Sequence, residues 1–247
     1  MNLSKNKLNL YSSLGSSKMR RRHALFMVEG RKSVEESLKN WEVEAVIALE
    51  EADTSFIPVE IAIYRVGPKE MSKVSNLVTQ SDLIAVLKIP DNSDQSLECL
   101  DDQLYVGLDG VRDPGNFGTI IRTCHWFGVK KIFASFDCVD FYNPKVIQAT
   151  MGSFSRVEVI YCDLSELIER NRQIDVYGLQ LDGENIYKSQ LSEGGILIMG
   201  NEGKGISPQI KKLIKKPLLI PPGGENHSES LNVAVATGIT LSQFRSR

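Results

Sequence analysis

Apolar and polar residues along the first part of the chain alternate with the periods of strands and helices in turn. Phe26–Val28 and Val43–Leu49 are short apolar runs typical of buried strands. Gly30–Leu38 has the spacing of an amphipathic helix, and Pro68 opens a helical pattern that continues to Val74. We therefore predict a small α/β domain of fewer than about 100 residues, a size that can fold by itself.

The same alternation is stronger in the second part of the chain, where apolar runs are separated by helical patterns. Predicted strands are Leu104–Leu108, Val129–Ala134, Val157–Ile160, Asp175–Leu181, Ile196–Met199 and Leu218–Ile220. Predicted helices are Thr119–Phe127, Pro144–Met151, Leu164–Arg170 and Leu231–Phe244. Strands separated by helices indicate a mostly parallel sheet covered on both faces, which binds ligands beyond the carboxyl ends of its strands.

A polar, turn-rich segment divides these two parts of the chain. Pro90–Ser96 is acidic and follows the apolar run Leu83–Leu87. Such a change in composition is typical of a linker between domains. We therefore predict two domains, residues 1–95 and residues 100–247.

Bulk composition limits the class of protein. Of 247 residues, 42% are apolar and 24% charged, as in an ordinary globular protein. No run approaches the roughly 18 apolar residues that span a bilayer, and the first seven residues lack a signal peptide's apolar core. We therefore expect a cytoplasmic protein. The four widely spaced cysteines are expected to be buried and reduced, and the histidines lack zinc-ligand spacing, so no metal is expected.

Positive charge is clustered although the net charge is −2. One cluster is Lys18–His23 and the other is Lys211–Lys216. Each cluster fits either a solvated helix face or a patch that contacts the phosphates of a polyanion.

Three polar, glycine-rich segments follow predicted strands: Asp109–Gly118, Met199–Ser207 and Ile220–Val233. The fold should gather them at one edge of the sheet. The first has the glycine spacing of a phosphate-binding P-loop, but Asn116 replaces its lysine, and no dinucleotide fingerprint occurs. Each segment fits a tight turn, whereas the three together suggest a ligand held mainly by main-chain groups.

The three segments resemble the ordered motifs of the SpoU (TrmH) family of RNA 2′-O-ribose methyltransferases, in the SPOUT superfamily. Pro114–Gly118 with Ile120–Thr123 resembles the first motif and Met199–Ile206 the second. Ile220–Pro221 with Ser230–Ala236 resembles the third. Pro222–Glu229, inside the third motif, is longer than usual and lacks the common methionine after the proline.

The amino-terminal part resembles the family's substrate-binding domain of ribosomal-protein-L30e type. This resemblance depends on Arg21, Phe26, Val28–Gly30 and Val34. The family's carboxyl-terminal domain is a SPOUT α/β knot, a mostly parallel sheet with a deep trefoil knot that holds the cofactor. The resemblance also implies a homodimer whose active site uses both subunits.

The cofactor implied by this resemblance is S-adenosyl-L-methionine. The backbone positions expected to hold it are Leu179, Gln180, Met199, Gly200, Ile220 and Leu231. The polar positions that match the catalytic motifs are Asn116, Arg122, Glu202, Ser230 and Asn232.

Arg122 is the foremost catalytic candidate, although a guanidinium with a pKa above about 12 is a poor proton acceptor. We therefore expect it to position phosphate and hydroxyl groups and to stabilise developing negative charge. Asn116 and Asn232 suit the positioning of loops and ribose, while Glu202 takes part in the chemistry or caps its own glycine loop. His125, near Arg122 on the helix, is the alternative base and is more simply explained as a packed side chain.

The expected substrate is RNA, ribosomal in preference to transfer RNA. Its backbone is expected to contact Lys18, Arg20, Arg21 and Arg22. Three alternatives remain: a related enzyme that modifies another RNA or a base, a catalytically inactive RNA-binding or ribosome-assembly factor, and a generic nucleotide-binding enzyme. The missing phosphate motifs disfavour the last.

Overall fold

A computed structural model describes residues 1–77, 80–91, 96–224 and 228–246. The chain forms two compact units: residues 1–93 with 140–155, and residues 94–139 with 156–247. Most of the predicted linker, residues 92–95, lies outside the described residues.

The described residues form α-helices and strands in the following positions. The helices are α1 (Lys5–Ser13), α2 (Ser17–His23), α3 (Arg31–Asn40), α4 (Pro68–Val74), α5 (Pro114–Trp126), α6 (Pro144–Thr150), α7 (Leu164–Arg170), α8 (Pro208–Lys211) and α9 (Val233–Arg245). The strands are β1 (Leu25–Glu29), β2 (Val43–Leu49), β3 (Ile63–Val66), β4 (Leu83–Lys88), β5 (Leu104–Asp109), β6 (Lys131–Ala134), β7 (Glu158–Tyr161), β8 (Val176–Asn185), β9 (Gly195–Gly200) and β10 (Lys216–Leu219).

The first unit contains a four-stranded mixed sheet in the order β1-β4-β2-β3. Strand β4 pairs antiparallel with β1 and β2, while β2 and β3 are parallel. Its core includes fully buried Met71, Ile47 and Ile84. The sequence prediction of a small α/β domain is therefore confirmed, although it missed α1, α2 and β3 and left Leu83–Leu87 as an unassigned apolar run.

The segment 140–155 belongs to the first unit, whereas the sequence-based division placed it in the second. Aromatic packing is the physical reason: Tyr142 lies against Phe26 with ring centroids 4.7 Å apart, and Phe154 lies 5.9 Å from Trp41. Such aromatic pairs contribute beyond the area that they bury. This long-range contact leaves no periodic signal in the sequence.

The second unit contains a six-stranded sheet in the order β10-β8-β9-β5-β6-β7, with every pairing parallel. The predicted mostly parallel α/β sheet is confirmed. Its two central strands, β9 and β5, contain only apolar and aromatic residues apart from Asp109 at the end of β5, as expected where helices cover both faces. Helices α5 and α9 pack against each other in this unit. The implied trefoil knot stays a prediction.

All four cysteines are buried and free, as the sequence suggested. Burial raises the pKa of the Cys99 thiol to about 11 and that of Cys162 to about 12, so neither thiol is ionised near neutral pH. Within the described ranges, no helix is both long and apolar enough to cross a membrane.

Candidate active site

The loops that follow four neighbouring strands begin at one edge of the parallel sheet. Asp109 at the end of β5 pairs with Gly200 at the end of β9. Gly178 of β8 pairs with Ile198 on one side and with Pro217 of β10 on the other. The three glycine-rich segments therefore leave the sheet at its carboxyl edge, and the prediction that they gather there is confirmed.

Side-chain hydrogen bonds connect one residue of each motif. The Asn116 amide Nδ2 donates to Glu202 Oε1 at 3.1 Å, and Asn232 Nδ2 donates to Asn116 Oδ1 at 2.8 Å. Asn116 and Glu202 are partly buried, while Asn232 is exposed. These bonds hold the three loops in one arrangement.

Asn201 extends this network to the backbone. Its Nδ2 donates to the Gly110 carbonyl at 2.7 Å and to Glu202 Oε2 at 3.3 Å. Its Oδ1 accepts hydrogen bonds from the backbone N–H groups of Gly203 and Lys204, both at 3.0 Å. The capping role considered for Glu202 thus belongs to Asn201, and both Glu202 oxygens accept from side-chain amides.

Two of the glycine-rich segments contain the residue that caps the amino end of a helix. Asp113 caps α5 by accepting from the Asn116 N–H at 2.7 Å, with Pro114 at the first helical position. Asn232 caps α9 by accepting from the N–H groups of Ala234 and Val235. A side-chain oxygen at this position satisfies donors that the helix itself leaves free. Asn116 therefore lies in the first turn of α5 and not in the loop that the sequence suggested.

Arg122 and Ser230 lie outside this hydrogen-bond network. Arg122 is exposed on α5, and among the described residues no acceptor binds its guanidinium. Ser230 is also exposed, and its carbonyl accepts from the Ser228 hydroxyl at 3.2 Å. Both remain available to a ligand, whereas Asn116, Glu202 and Asn232 are already bonded to one another.

The backbone positions expected to hold a cofactor lie in or next to the strands β8, β9 and β10 and just before α9. Strand β8 contains five extra residues, 179–183, relative to its partner β10: Gly178 pairs with Pro217, and the next residue of β10, Leu218, pairs with Glu184. Leu179 and Gln180 lie in this insertion. Met199 and Gly200 end β9, and Ile220 follows β10 directly. Leu231 directly precedes the α9 cap and is 48% exposed.

Glycine at position 200 is required by the close approach of its own loop. A Cβ there would lie 2.3 Å from the backbone of Gly205 and Ile206, which real side chains do not tolerate. Gly205 has a φ of +67°, a conformation that favours glycine. This main-chain turn at the sheet's carboxyl edge fits a ligand that is held mainly by backbone groups.

Three of the four basic residues expected to contact RNA are exposed on α2: Lys18, Arg21 and Arg22. The expectation is wrong for Arg20, which is 2% exposed. Its guanidinium donates to Asp140 Oδ2 at 2.5 Å and to the carbonyls of Leu14 and Gly15. Because these acceptors occupy it inside the first unit, Arg20 cannot also contact a phosphate.

Sequence comparison assigns the larger part of the chain to one family. The pattern of the SpoU rRNA Methylase family matches residues 103–242, more than half of the chain. The chain belongs to the SpoU rRNA methylase family. A second pattern, the MRM3-like substrate binding domain, matches residues 5–85.

Individual relatives agree with this SpoU assignment over the full chain. A Bacillus subtilis 23S rRNA (guanosine(2553)-2′-O)-methyltransferase is 29% identical, over 97% of this chain and 96% of its own. The structure of a putative RNA methyltransferase of the TrmH family from Porphyromonas gingivalis is 34% identical, covers 99% of both chains and has a TM-score of 0.87. A Sinorhizobium meliloti rRNA methyltransferase solved with AdoMet bound is 25% identical, with a TM-score of 0.87 over 99% of this chain and 96% of that one.

Sequence reasoning missed several residues that build this SpoU-family site. It quoted Asn201 within the second motif without a role, and it gave none to Asp109, whose Oδ2 accepts from the Ser207 N–H at 2.6 Å. Asn or Asp at a strand end before a glycine turn is a signal for such side-chain-to-backbone bonds. Asp113 before Pro114 was likewise an available sign of a helix start.

Proposed function

We propose that this protein transfers a methyl group from S-adenosylmethionine to a ribose 2′-hydroxyl of RNA, with ribosomal RNA as the substrate class. The main observation behind the proposal is that hydrogen bonds among Asn116, Glu202 and Asn232 join the three motif loops. Helix α5, which begins at one of these loops, also exposes Arg122, whose guanidinium has no acceptor among the described residues. The full-length similarity to a ribosomal RNA enzyme supports the substrate class.

The cofactor, when bound, supplies an electrophilic methyl group on a sulfonium centre. Residues that would hold it are Leu179, Gln180, Met199, Gly200, Ile220 and Leu231. The tight turn at Gly200 supports this role, because it presents backbone at the sheet edge without intervening side chains. The exposed apolar side chain of Leu231 is suited to cover a ligand at this edge.

Methyl transfer forms a carbon–oxygen bond at the ribose while the hydroxyl loses its proton. Arg122 is the residue to stabilise the developing negative charge, because its guanidinium is exposed and offers several N–H donors. The same planar donor group can orient an adjacent phosphate through two hydrogen bonds. The proton then passes to solvent or to a substrate phosphate, since arginine does not accept it.

Asn116, Glu202 and Asn232 act by positioning. Glu202 accepts from two amides, so its carboxylate orients the first and second loops towards each other. Asn232 fixes the start of α9 against Asn116. Ser230, exposed just before this cap, is free to contact the RNA or the cofactor.

The RNA backbone is bound in part by Lys18, Arg21 and Arg22, which α2 presents to solvent. In a plot of the logarithm of RNA affinity against the logarithm of salt concentration, replacing all three by glutamine should make the slope less steep. The expected change is about 0.7 to 0.9 for each phosphate contact that is lost. Lys211→Gln with Lys212→Gln, from the second basic cluster, is the control; it removes two charges, so the two variants are compared per charge removed. An unchanged slope in the α2 variant would contradict this contact.

The protein acts in the cytoplasm as a homodimer. Support for the dimer comes from exposed apolar side chains on and beside the paired helices α5 and α9, namely Trp126 at 84%, Val235 at 53% and Leu231 at 48%. Large apolar side chains left exposed on two neighbouring helices are expected where a partner subunit covers them. Sedimentation over a range of concentrations should therefore give twice the chain mass.

The function is tested with methyl-labelled S-adenosylmethionine and undermethylated total RNA, followed by separation of the RNAs and alkaline digestion. A methylated 2′-oxygen cannot attack the neighbouring phosphate, so label should persist in alkali-resistant dinucleotides from ribosomal RNA. Label in mononucleotides would mean base methylation. If the protein neither incorporates label nor binds the cofactor, it is a non-catalytic RNA-binding factor.

A further inference from the structure

The turn that follows β6 exposes an aromatic side chain at the carboxyl edge of the sheet. Phe136 is 74% exposed. It and Asp137 are the central residues of a turn closed by the Cys138 N–H, which donates to the Ser135 carbonyl at 3.0 Å. A single exposed aromatic is common on protein surfaces, so exposure alone indicates no function.

This turn is held rigidly by bonds to the β5 loop. The Ser135 hydroxyl accepts from the Gly110 N–H at 2.9 Å and donates to Asp137 Oδ1 at 2.7 Å. Cys138 Sγ donates to the Leu108 carbonyl at 3.2 Å. Phe136 therefore lies on an ordered turn, and binding a ligand against it would cost little conformational entropy in this part of the chain.

A cation lies on the same turn. Arg112 Nη2 donates to Asp137 Oδ2 at 2.9 Å, and the Arg112 side chain is 64% exposed. The Ser135 hydroxyl and Arg112 lower the pKa of Asp137, so the carboxylate that orients the guanidinium stays charged at neutral pH. The remaining N–H groups of Arg112 have no acceptor among the described residues.

The turn adjoins the hydrogen-bond network of the candidate active site. Gly110 lies between them: a Cβ on it would be 3.2 Å from Asp137 Oδ2 and 3.7 Å from the Asn201 Cβ. Gly110 is also the residue whose carbonyl accepts from the Asn201 amide. The turn therefore adjoins the loops that are proposed to bind the cofactor and the RNA.

We propose that Phe136 stacks on an unpaired base that flanks the target nucleotide, while Arg112 binds a neighbouring phosphate. Proteins recognise RNA sequence mainly in unpaired segments, by stacking bases on aromatic rings beside cationic groups. The inference deepens the proposed function and names a single-stranded stretch as the substrate. It requires RNA binding at this edge but no particular methyl acceptor.

The test is equilibrium binding of a fluorescent single-stranded 12-nucleotide RNA of mixed sequence, and of the same sequence as a duplex. Phe136→Ala should weaken single-strand binding about 10-fold, within the range measured for one stacked base, and leave duplex binding unchanged. Phe136→Trp should restore it. Leu100→Ala removes a similarly exposed apolar side chain, 58% exposed, before β5 and is the matched control.

Methyl transfer and cofactor binding are measured on the same samples. Unchanged single-strand affinity in Phe136→Ala, or an equal loss for duplex, would overturn the stacking proposal. A change in oligomeric state without a change in RNA affinity would assign Phe136 to a protein contact and overturn it too. Failure of the wild-type protein to methylate RNA would contradict the proposed function, while the binding comparison still tests Phe136.

Discussion

Charged side chains at the two edges of the parallel sheet differ in the partners that they have. At the amino edge, Asp175 Oδ2 accepts from Lys216 Nζ at 2.7 Å and from the Ser192 hydroxyl at 3.0 Å. The Asp175–Lys216 pair at the amino edge is thus neutralised inside the protein. At the carboxyl edge Arg112 is paired with Asp137, but Glu202 has no cationic partner and Arg122 on α5 has no acceptor among the described residues. Charged groups left without an opposite charge are expected at a functional site.

The largest effect should come from Arg122. Arg122→Ala should lower kcat for RNA methylation about 100- to 1,000-fold, the usual loss for one donor to a developing oxyanion. Cofactor affinity should change little, because Arg122 bonds to none of the strand-end segments. Single-turnover kinetics with equilibrium cofactor binding check both.

Arg122→Lys separates charge from geometry. It keeps the cation but loses the planar pair of donors, so turnover should still fall at least about 10-fold. His125→Gln on the same helix is the control and should stay near wild type. Near-normal turnover in Arg122→Lys would show that two-point positioning is the wrong account.

Glu202→Gln should have a smaller effect. The glutamine amide has only one acceptor oxygen, so one of the two amide donors that bond to Glu202 loses its hydrogen bond. Leaving this donor without an acceptor destabilises the arrangement of the first and second loops by about 1–3 kcal/mol. We expect methylation to fall about 10- to 100-fold, with the KM values for cofactor and RNA rising, and no change in the pH dependence of kcat. A loss equal to that of Arg122→Ala, with the disappearance of an acidic limb in the pH–rate profile, would make Glu202 a chemical participant.

The smallest effect belongs to the amino edge. Lys216→Met should lower the free energy of unfolding by about 0.5 kcal/mol, as for other partly exposed ion pairs, and leave methylation intact. The Lys216 ammonium is the main cause of the lowered pKa of Asp175. A carboxyl whose folded-state pKa is lowered stabilises the fold above its unfolded-state value and loses this contribution as the pH falls.

The stability difference between wild type and Lys216→Met should therefore be present at pH 7 and shrink below about pH 4. Denaturant titrations at several pH values measure it. If the stability difference grew as the pH fell, or if Lys216→Met lost methylation at neutral pH, the amino edge would not have the purely structural role described here.

The elements with strong periodicity were predicted well, because burial on both sheet faces leaves apolar runs that need no partner to be recognised. Leu164–Arg170 and Val43–Leu49 were predicted with the bounds observed. The start of α5 was placed late, since Gly115 and Gly118 suggested a loop where the Asp113 cap and Pro114 begin a helix.

The site was only partly predictable. Asn116, Glu202 and Asn232 were chosen from a family resemblance, and the structure brings them together. Arg20 could not be separated from its basic neighbours by sequence, because its partner Asp140 lies 120 residues away. The inserted residues 179–183 were likewise invisible, since a change of register depends on the neighbouring strand β10.

Ligand binding is expected at the carboxyl edge of this sheet and not at the amino edge. Amide hydrogen exchange of the whole protein, with and without saturating S-adenosylmethionine, tests it most directly. We predict slower exchange in residues 179–183, 199–205 and 220–224, and no change around Asp175 and Lys216. Protection at the amino edge, or none at the carboxyl edge with cofactor bound, would contradict the account.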